Sequence, residues 1–372
     1  MIKIFIITER RADYSRFKPI LELIQRDKDL DYSLAVTGAH LVETMGSTKN
    51  EILKDGFEIH YEIEMFNNHK DSGASMVRAF ARVAEKVTYC LEDSKPDLIL
   101  SGFDIGANLA VTIAGAHMNI PIAHIQGGEV TGTIDESIRH AMTKFSHYHF
   151  ASNQDAVERL IKLGEKEDFI FNVGCPSIDA IINTKDNIYI LDKYNLKKDD
   201  YFILLQHPVT SEINNSKSQI KITLEAVKQS KINVLTILPN NDAGFSEIIR
   251  ELKSSKIQYV ESLKIEEYIN LLKNSCGLIG NSSSGIHESS TFNVPTINIG
   301  SRQNGRLRPE NVIDVGHDKN QIIKAIEKCK KIKTDQIKYK NPYGDGKSAK
   351  RIISIIKKLD LSSNIIQKQI TY

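Results

Sequence analysis

The chain has almost no excess of charge: 49 lysines and arginines stand against 47 aspartates and glutamates, a formal net charge of +2. That balance excludes the electrostatic footprint of a nucleic-acid partner or an anionic membrane surface. Cysteine is scarce. Cys90, Cys175, Cys276 and Cys329 are widely scattered, with no CxxC or zinc-ligand spacing, so reduced thiols are expected and no metal site. No apolar run reaches transmembrane length. Met1 to Ile7 is too short for a signal peptide and lacks a cleavage site, so it reads as a buried first strand. A cytoplasmic protein is the expectation. The sequence also lacks low-complexity tracts and solenoid-length repeats. Its one local charge run, Lys324 to Lys340, is interleaved with Ile and Asp and reads as a solvated helix face.

What the chain does have is alternation. Short apolar runs at Ile2 to Thr8, Leu34 to Val36, Leu98 to Leu100, Ile122 to Ile125 and Phe169 to Val173 predict strands. Between them, Phe17, Ile20, Leu21 and Ile24 share one helical face, and Gly106 to Met118 and Asp155 to Leu163 have helical spacing. The pattern restarts with strands at Tyr201 to Leu205, Val234 to Leu238, Ile257 to Val260, Gly277 to Gly280 and Thr296 to Ile299, with Ile265, Tyr268, Ile269 and Leu272 marking a helix. A βαβα order implies parallel sheets covered on both faces. The polar stretch Thr184 to Asp200 separates the two series. The expected division is therefore residues 1–183 and 184–348, with the amphipathic segment at 349–372 returning to the first half.

Ligands of open parallel sheets sit beyond the carboxyl ends of the strands. There the chain places Gly280-Asn281-Ser282-Ser283-Ser284-Gly285, small residues that let backbone and hydroxyl donors approach a phosphate, with a helix expected from Ile286. The same residues would also serve as a plain helix cap. A serine-hydrolase elbow needs Gly-x-Ser-x-Gly, and here the second glycine comes one residue late. Glu288 could accept from ribose hydroxyls or be an ordinary first-turn acid. Arg302 and Arg306 lie in a glycine-bounded loop suited to charge-assisted pairing, or to solvent. His207, in Gln206-His207-Pro208-Val209-Thr210, could donate to a phosphate or transfer a proton. In the first half, Asp104 follows one strand and His124-Ile125-Gln126-Gly127-Gly128-Glu129 ends another. Asp135 and Arg139 share a helix face, as an ordinary i,i+4 ion pair also would. Gly344-Asp345-Gly346-Lys347-Ser348 imitates a P-loop tail, but its first glycine is missing and no strand precedes it.

Arg11-Ala12-Asp13-Tyr14, Thr37-Gly38-Ala39-His40, Gly127-Gly128-Glu129, Gly132-Thr133-Ile134-Asp135, Ile138-Arg139-His140, Gln206-His207-Pro208-Val209-Thr210, Gly280-Asn281-Ser282-Ser283, and Arg302-Gln303 with Gly305-Arg306 occur in this order. Together they resemble the UDP-N-acetylglucosamine 2-epimerase family, in its hydrolysing, sialic-acid-type branch, from about Ile2 to Ser348. The resemblance implies an α/β chain of two Rossmann-like doubly wound domains with a cleft between them, GT-B-like. It also implies elimination of UDP to a 2-acetamidoglucal, followed by addition of water. Acid–base roles then fall on Asp104, Asp135 and His207. Phosphate contacts fall on Ser282, Ser283 and Arg302, with Ser284 beside them. The ribose contact falls on Glu288, and further substrate contacts on Arg11, His40, Gln126 and Arg139. The expected partner is a UDP-linked amino sugar bound by a homodimer, with no cofactor.

The sequence departs from that pattern only in the sugar-side half. Phe103-Asp104-Ile105 replaces Gly-Asp-Arg, and Glu9-Arg10 replaces a small pair. Gln126 replaces a glutamate, and glutamine carries no proton at neutral pH. Glu129 or Glu9 is the expected substitute acid. A GT-B glycosyltransferase or a non-catalytic sugar-nucleotide sensor would keep the same nucleotide half.

Overall fold

The apolar runs assemble into two parallel sheets in a computed structural model, which describes residues 1–43, 48–66, 72–103, 106–240, 242–335 and 337–372. The first sheet contains β1 (Ile2–Thr8), β2 (Leu30–Thr37), β3 (Tyr61–Ile63), β4 (Leu98–Gly102), β5 (Ile122–Ile125), β6 (Tyr148–Ala151) and β7 (Ile170–Asn172), in the order β3-β2-β1-β4-β5-β6-β7. The second contains β8 (Tyr201–Leu205), β9 (Asn233–Ile237), β10 (Tyr259–Val260), β11 (Gly277–Gly280), β12 (Thr296–Ile299) and β13 (Val312–Val315), ordered β10-β9-β8-β11-β12-β13. Ile4, Phe5, Ile6 and Ile7 are all fully buried. Consecutive residues of a strand point to opposite faces, so both faces of the sheet are covered by helices, as an uninterrupted apolar run requires.

Both sheets reverse direction next to their first strand. β1 pairs with β2 on one side and β4 on the other, and β8 lies between β9 and β11 in the same way. Connections after neighbouring strands then leave in opposite directions and open a crevice at the strands' carboxyl ends. Glu9 to Asp13, Phe103, Gln206 to Val209 and Asn281 to Ser284 all emerge at these two places.

Local chemistry explains how the first of these turns is held. Asp13 opens the helix Arg11–Gln25, whose Phe17, Ile20, Leu21 and Ile24 are buried. Its Oδ1 accepts from the Arg10 amide at 2.8 Å, and its Oδ2 accepts from the Glu9 amide at 2.8 Å and the Thr8 hydroxyl at 2.9 Å. One carboxylate thus satisfies free donors at a helix start and fixes the exit from β1.

Three strands are shorter or more polar than any run the sequence singles out: β3, β6 and β13. In β6, His149 is buried against Glu165 at 3.0 Å, so a polar residue occupies an interior strand position by having a partner. The helix Ser348–Ile356 buries Ala349, Ile352, Ile353 and Ile356 in the core of the first sheet. Its first amides, Ser348 and Ala349, donate to Asp179 at 3.0 and 2.9 Å. The P-loop-like Gly344 to Ser348 is therefore the turn into that helix. The polar stretch after Thr184 is not a free linker, because Ile190, Leu191 and Tyr194 are buried in the second core. Along the helix Lys319–Thr334, Ile322, Ala325, Ile326 and Cys329 are buried, while Lys324, Lys328 and Lys331 face solvent.

Gly280 ends β11 with φ +133°, and a Cβ there would stand 2.1 Å from the Leu205 carbonyl oxygen. Gly280→Ala is expected to cost about 3 kcal/mol or more, because the neighbour is backbone and the φ is one that alanine rarely adopts. Calorimetric melting should show a fall of several degrees.

Candidate active site

A cavity of about 970 Å³ opens between the two halves. From the first half it receives Arg10, Arg11, Arg16, Phe103 and Asp135; from the second, His207, Ser282 to Ser284, Glu288, Arg302 and Arg306. The two walls are joined by backbone contact. The Gly132 amide donates to the Arg302 carbonyl at 3.0 Å, and a Cβ on Gly132 would meet the Ser301 carbonyl oxygen at 1.9 Å. Only glycine permits this approach, which brings the Asp135 helix (Ile134–Phe145) against the Arg302 loop.

Asn281 organises the second-half wall. Its Oδ1 accepts from the His207 amide at 2.7 Å, and its Nδ2 donates to the His207 carbonyl at 2.9 Å. Its own carbonyl accepts from Gln303 Nε2 at 2.8 Å and Arg302 Nη1 at 3.3 Å. One residue, through its side chain and its own carbonyl, therefore locks the ends of β8, β11 and β12 together. The helix expected from Ile286 is instead a single turn, Ser284–His287, followed by a 3-10 turn, Ser289–Phe292, which Asn293 ends at φ 55°. One turn aligns few peptide dipoles, so the donors this wall offers an anion are mainly serine hydroxyls and arginines.

The Asn240 amide donates to His207 Nδ1 at 3.0 Å. Nδ1 is therefore the acceptor and Nε2 carries the proton. Burial and Arg302 push the imidazole down to about 3, so it stays neutral at physiological pH and serves as a donor. Asp135 moves the other way: burial and the nearby Asp242 hold its carboxyl above its ordinary value of 3.8, against Arg302 and Arg10. A neutral donor and a carboxyl with raised proton affinity thus face one cavity, the arrangement that acid–base chemistry needs.

Residues 22–357 match the UDP-N-acetylglucosamine 2-epimerase family. The chain belongs to that family. It is 36% identical to the UDP-N,N'-diacetylbacillosamine 2-epimerase (hydrolyzing) of Legionella pneumophila, over 98% of both chains. It is 34% identical to the GDP/UDP-N,N'-diacetylbacillosamine 2-epimerase (hydrolyzing) of Campylobacter jejuni, over 88% of this chain and 87% of that protein. The crystal structure of Methanocaldococcus jannaschii UDP-GlcNAc 2-epimerase in complex with UDP-GlcNAc and UDP superposes with a TM-score of 0.82 at 22% identity, covering 96% of this chain and 100% of that one. That likeness establishes the epimerase fold: two parallel α/β sheets flanking a cleft, GT-B-like.

Within this 2-epimerase fold the expected site residues divide into two layers. Arg11, Asp135, His207, Ser282, Ser283, Ser284, Glu288 and Arg302 line the cavity. Asp104 lies outside the described residues. His40, Gln126, Glu129 and Arg139 are buried behind the lining. Glu129, the expected substitute acid, is held on both carboxylate oxygens. Its Oε1 accepts from Ser152 Oγ and from Gln126 Nε2 at 3.2 Å, while its Oε2 faces His287 Nε2 at 3.2 Å and Arg306 at 3.6 Å. Burial opposes ionisation, but His287, Arg306 and Ser152 outweigh it and hold the carboxyl down to about 2. At neutral pH Glu129 is an anion pinning one half to the other. Gln126 accepts from Arg16 Nη1 at 3.0 Å and so links that cavity arginine to Glu129. Arg139 donates to the Glu129 carbonyl at 3.0 Å. His40 sits between Thr8 and Thr48 hydroxyls at 3.1 and 2.5 Å, and burial pushes it down to about 4. These four are buried and do not themselves line the cavity.

Arg11 is a strap across the cleft. It pairs with Glu51 at 2.5 Å and donates to Ser262 Oγ at 2.8 Å and the Leu263 carbonyl at 2.9 Å. Glu9 is buried and held above its ordinary value by burial, but its Oε2 accepts from the Ala107 amide at 3.1 Å and does not line the cavity. Sequence reasoning missed Asn281's structural role, Asp242 and His287. Asn281 stood in a recognised motif as a mere neighbour of serines, whereas Asp242 and His287 carry no local signal.

The Glu129 pin sets a pH dependence. Its folded value lies below its ordinary 4.5, so its contribution to stability is fully present above that value and is lost as pH falls toward about 2. Between about pH 5 and 3 the wild-type melting temperature should fall more steeply than that of Glu129→Gln, which keeps the shape but not the charge.

Proposed function

We propose that the protein is a hydrolysing 2-epimerase. It converts a UDP-N-acetylglucosamine-type sugar to UDP and the free N-acetylmannosamine-type 2-epimer, for assembly of sialic-type acids and surface polysaccharides. The observation that carries this reading is the pairing, across one cavity, of an Asp135 carboxyl of raised proton affinity with a neutral His207 and an Arg302–serine wall. In the first step a base takes the C2 proton, the C1–O bond breaks, and UDP leaves with the electron pair. Arg302, Ser282 and Ser283 receive its growing negative charge, with the His207 Nε2–H as a further donor. Glu288 takes the ribose hydroxyls. In the second step water adds its oxygen to C1 while a proton enters C2 from the opposite face. Asp135 and Asp104 are the two groups assigned to these proton transfers. Gln126, which cannot carry a proton, joins Arg16 to the Glu129 pin.

The two relatives named for UDP-N,N'-diacetylbacillosamine widen the substrates to be tried. Incubation with UDP-N-acetylglucosamine and with UDP-N,N'-diacetylbacillosamine in deuterated water should yield UDP and a free 2-epimer carrying deuterium at C2. A UDP-linked epimer with deuterium would mean epimerisation without hydrolysis. Absence of both UDP release and C2 deuterium with either sugar would reject the reaction. Release of UDP only when an acceptor is added, without C2 exchange, would assign a glycosyltransferase.

A further inference from the structure

Asp242 lies beside three residues that line the cavity, Arg10, Asn240 and Arg302, and transfers no proton in the reaction just described. It follows β9, beside Asn240, whose Nδ2 donates to Asp242 Oδ2 at 2.6 Å. Arg10 reaches it from the first half, Nη1 to Oδ1 at 3.7 Å; Arg302 reaches it within the second half, Nη2 to Oδ2 at 3.7 Å. Both separations exceed a good charge-assisted hydrogen bond, so the arginines are drawn to Asp242 without being committed to it. The Asp242 side chain is 20% exposed and Arg302 12%. The Nε of Arg302 is a buried donor without a partner among the described residues. Two arginines aimed at one anion, with a donor left over, describe a site set up for an anion with more acceptors than one carboxylate.

We infer that Asp242 is a placeholder for the substrate diphosphate: it holds Arg10 and Arg302 across the cleft in the unliganded protein, gives them up when UDP arrives, and takes them back when UDP leaves. This rests on the reading that the diphosphate lies against Arg302 and the serines. Burial raises the Asp242 carboxyl, yet Arg10 and Arg302 outweigh it and hold the group below its ordinary value, so it is an anion able to compete at neutral pH. The inference also gives the Glu9-Arg10 pair a purpose, because Arg10, just past β1, reaches this acid from the first half. Asp242 is a positioning residue in this scheme, acting through the arginines.

Calorimetric titration with UDP tests it. Neutralising the competitor frees both arginines, so Asp242→Asn should bind UDP roughly fivefold to tenfold more tightly than wild type at low salt, with product inhibition by UDP strengthened by the same factor. Asp242→Glu should restore the wild-type affinity. A residue that merely held the loop together would do the opposite and weaken UDP binding when changed. Unchanged or weaker binding by Asp242→Asn, with an unliganded melting temperature like the wild type's, overturns the inference. Where that variant fails to fold, Asp242→Ser at the same position carries the same expectation. If wild-type protein does not bind UDP at all, the nucleotide reading of the site falls and this inference with it; binding by wild type without tightening in the variants rejects the placeholder alone.

Discussion

Asp135→Asn is expected to lower turnover by roughly three orders of magnitude, the range for losing a positioned acid–base group, while UDP still binds. Asparagine keeps the shape and the contact with Thr133 but cannot accept a proton. Deuterium incorporation at C2 should fall with turnover, which separates a chemical defect from a binding defect. The wild-type pH profile should agree. Burial and Asp242 raise the Asp135 carboxyl, so the proton is held above the ordinary 3.8 and the ionised form is gained only as pH rises through that higher value. A step that needs the base form therefore slows in acid earlier than a free aspartate would dictate. The same shift has a stability sign. A carboxyl whose folded value is raised disfavours the folded state once the pH passes the unfolded value, because the unfolded chain ionises more readily. Asp135→Asn should thus melt slightly above wild type at neutral pH while losing activity, the signature of a site that gives up stability for chemistry.

Arg302→Ala should lose roughly 10²- to 10³-fold in kcat/KM, and unlike Asp135→Asn it should lose UDP affinity as well. Arg302 is held in place by the Asn281 carbonyl at 3.3 Å and by its own carbonyl's contact with the Gly132 amide at 3.0 Å. Its guanidinium therefore faces the cavity without having to be ordered by the ligand. Arg302→Lys should recover only part of the loss, since a point charge cannot make the paired, planar contacts a phosphate accepts. Calorimetry with UDP alone, beside steady-state kinetics, checks both halves of the statement. Unchanged UDP affinity in Arg302→Ala would place the diphosphate elsewhere.

Much of this was legible from the chain. β1, β8, β11 and β12 have the bounds that apolar runs predict, because a strand buried on both faces must be continuously apolar. The serine turn, His207 and Arg302 were legible because a ligand site in this architecture lies just past the strand ends, whereas Asp135, inside the helix Ile134–Phe145, was singled out by the family resemblance. β3, β6 and β13 were not. The first and last are edge strands with a polar residue in the middle, and β6 hides His149 against a glutamate sixteen residues on. No local pattern announces a histidine that burial keeps neutral and a distant glutamate provides with a hydrogen-bond partner.

The same boundary runs through the site. The sequence by itself determined the α/β class, the two series of strands and the set of residues that emerge at their carboxyl ends, because those depend on local periodicity and on strand order. Only the tertiary structure decided which of those residues line the cavity. Gln126, Glu129 and Arg139 share motifs with cavity residues, yet they lie behind the wall, because Glu129 finds His287 and Arg306 from the other half and a buried carboxylate must be paired. Asp242 meets Arg10 although 232 positions separate them. Charge pairing across a cleft depends on distance in space, and strand alternation in a sequence carries no record of which loops that cleft brings together.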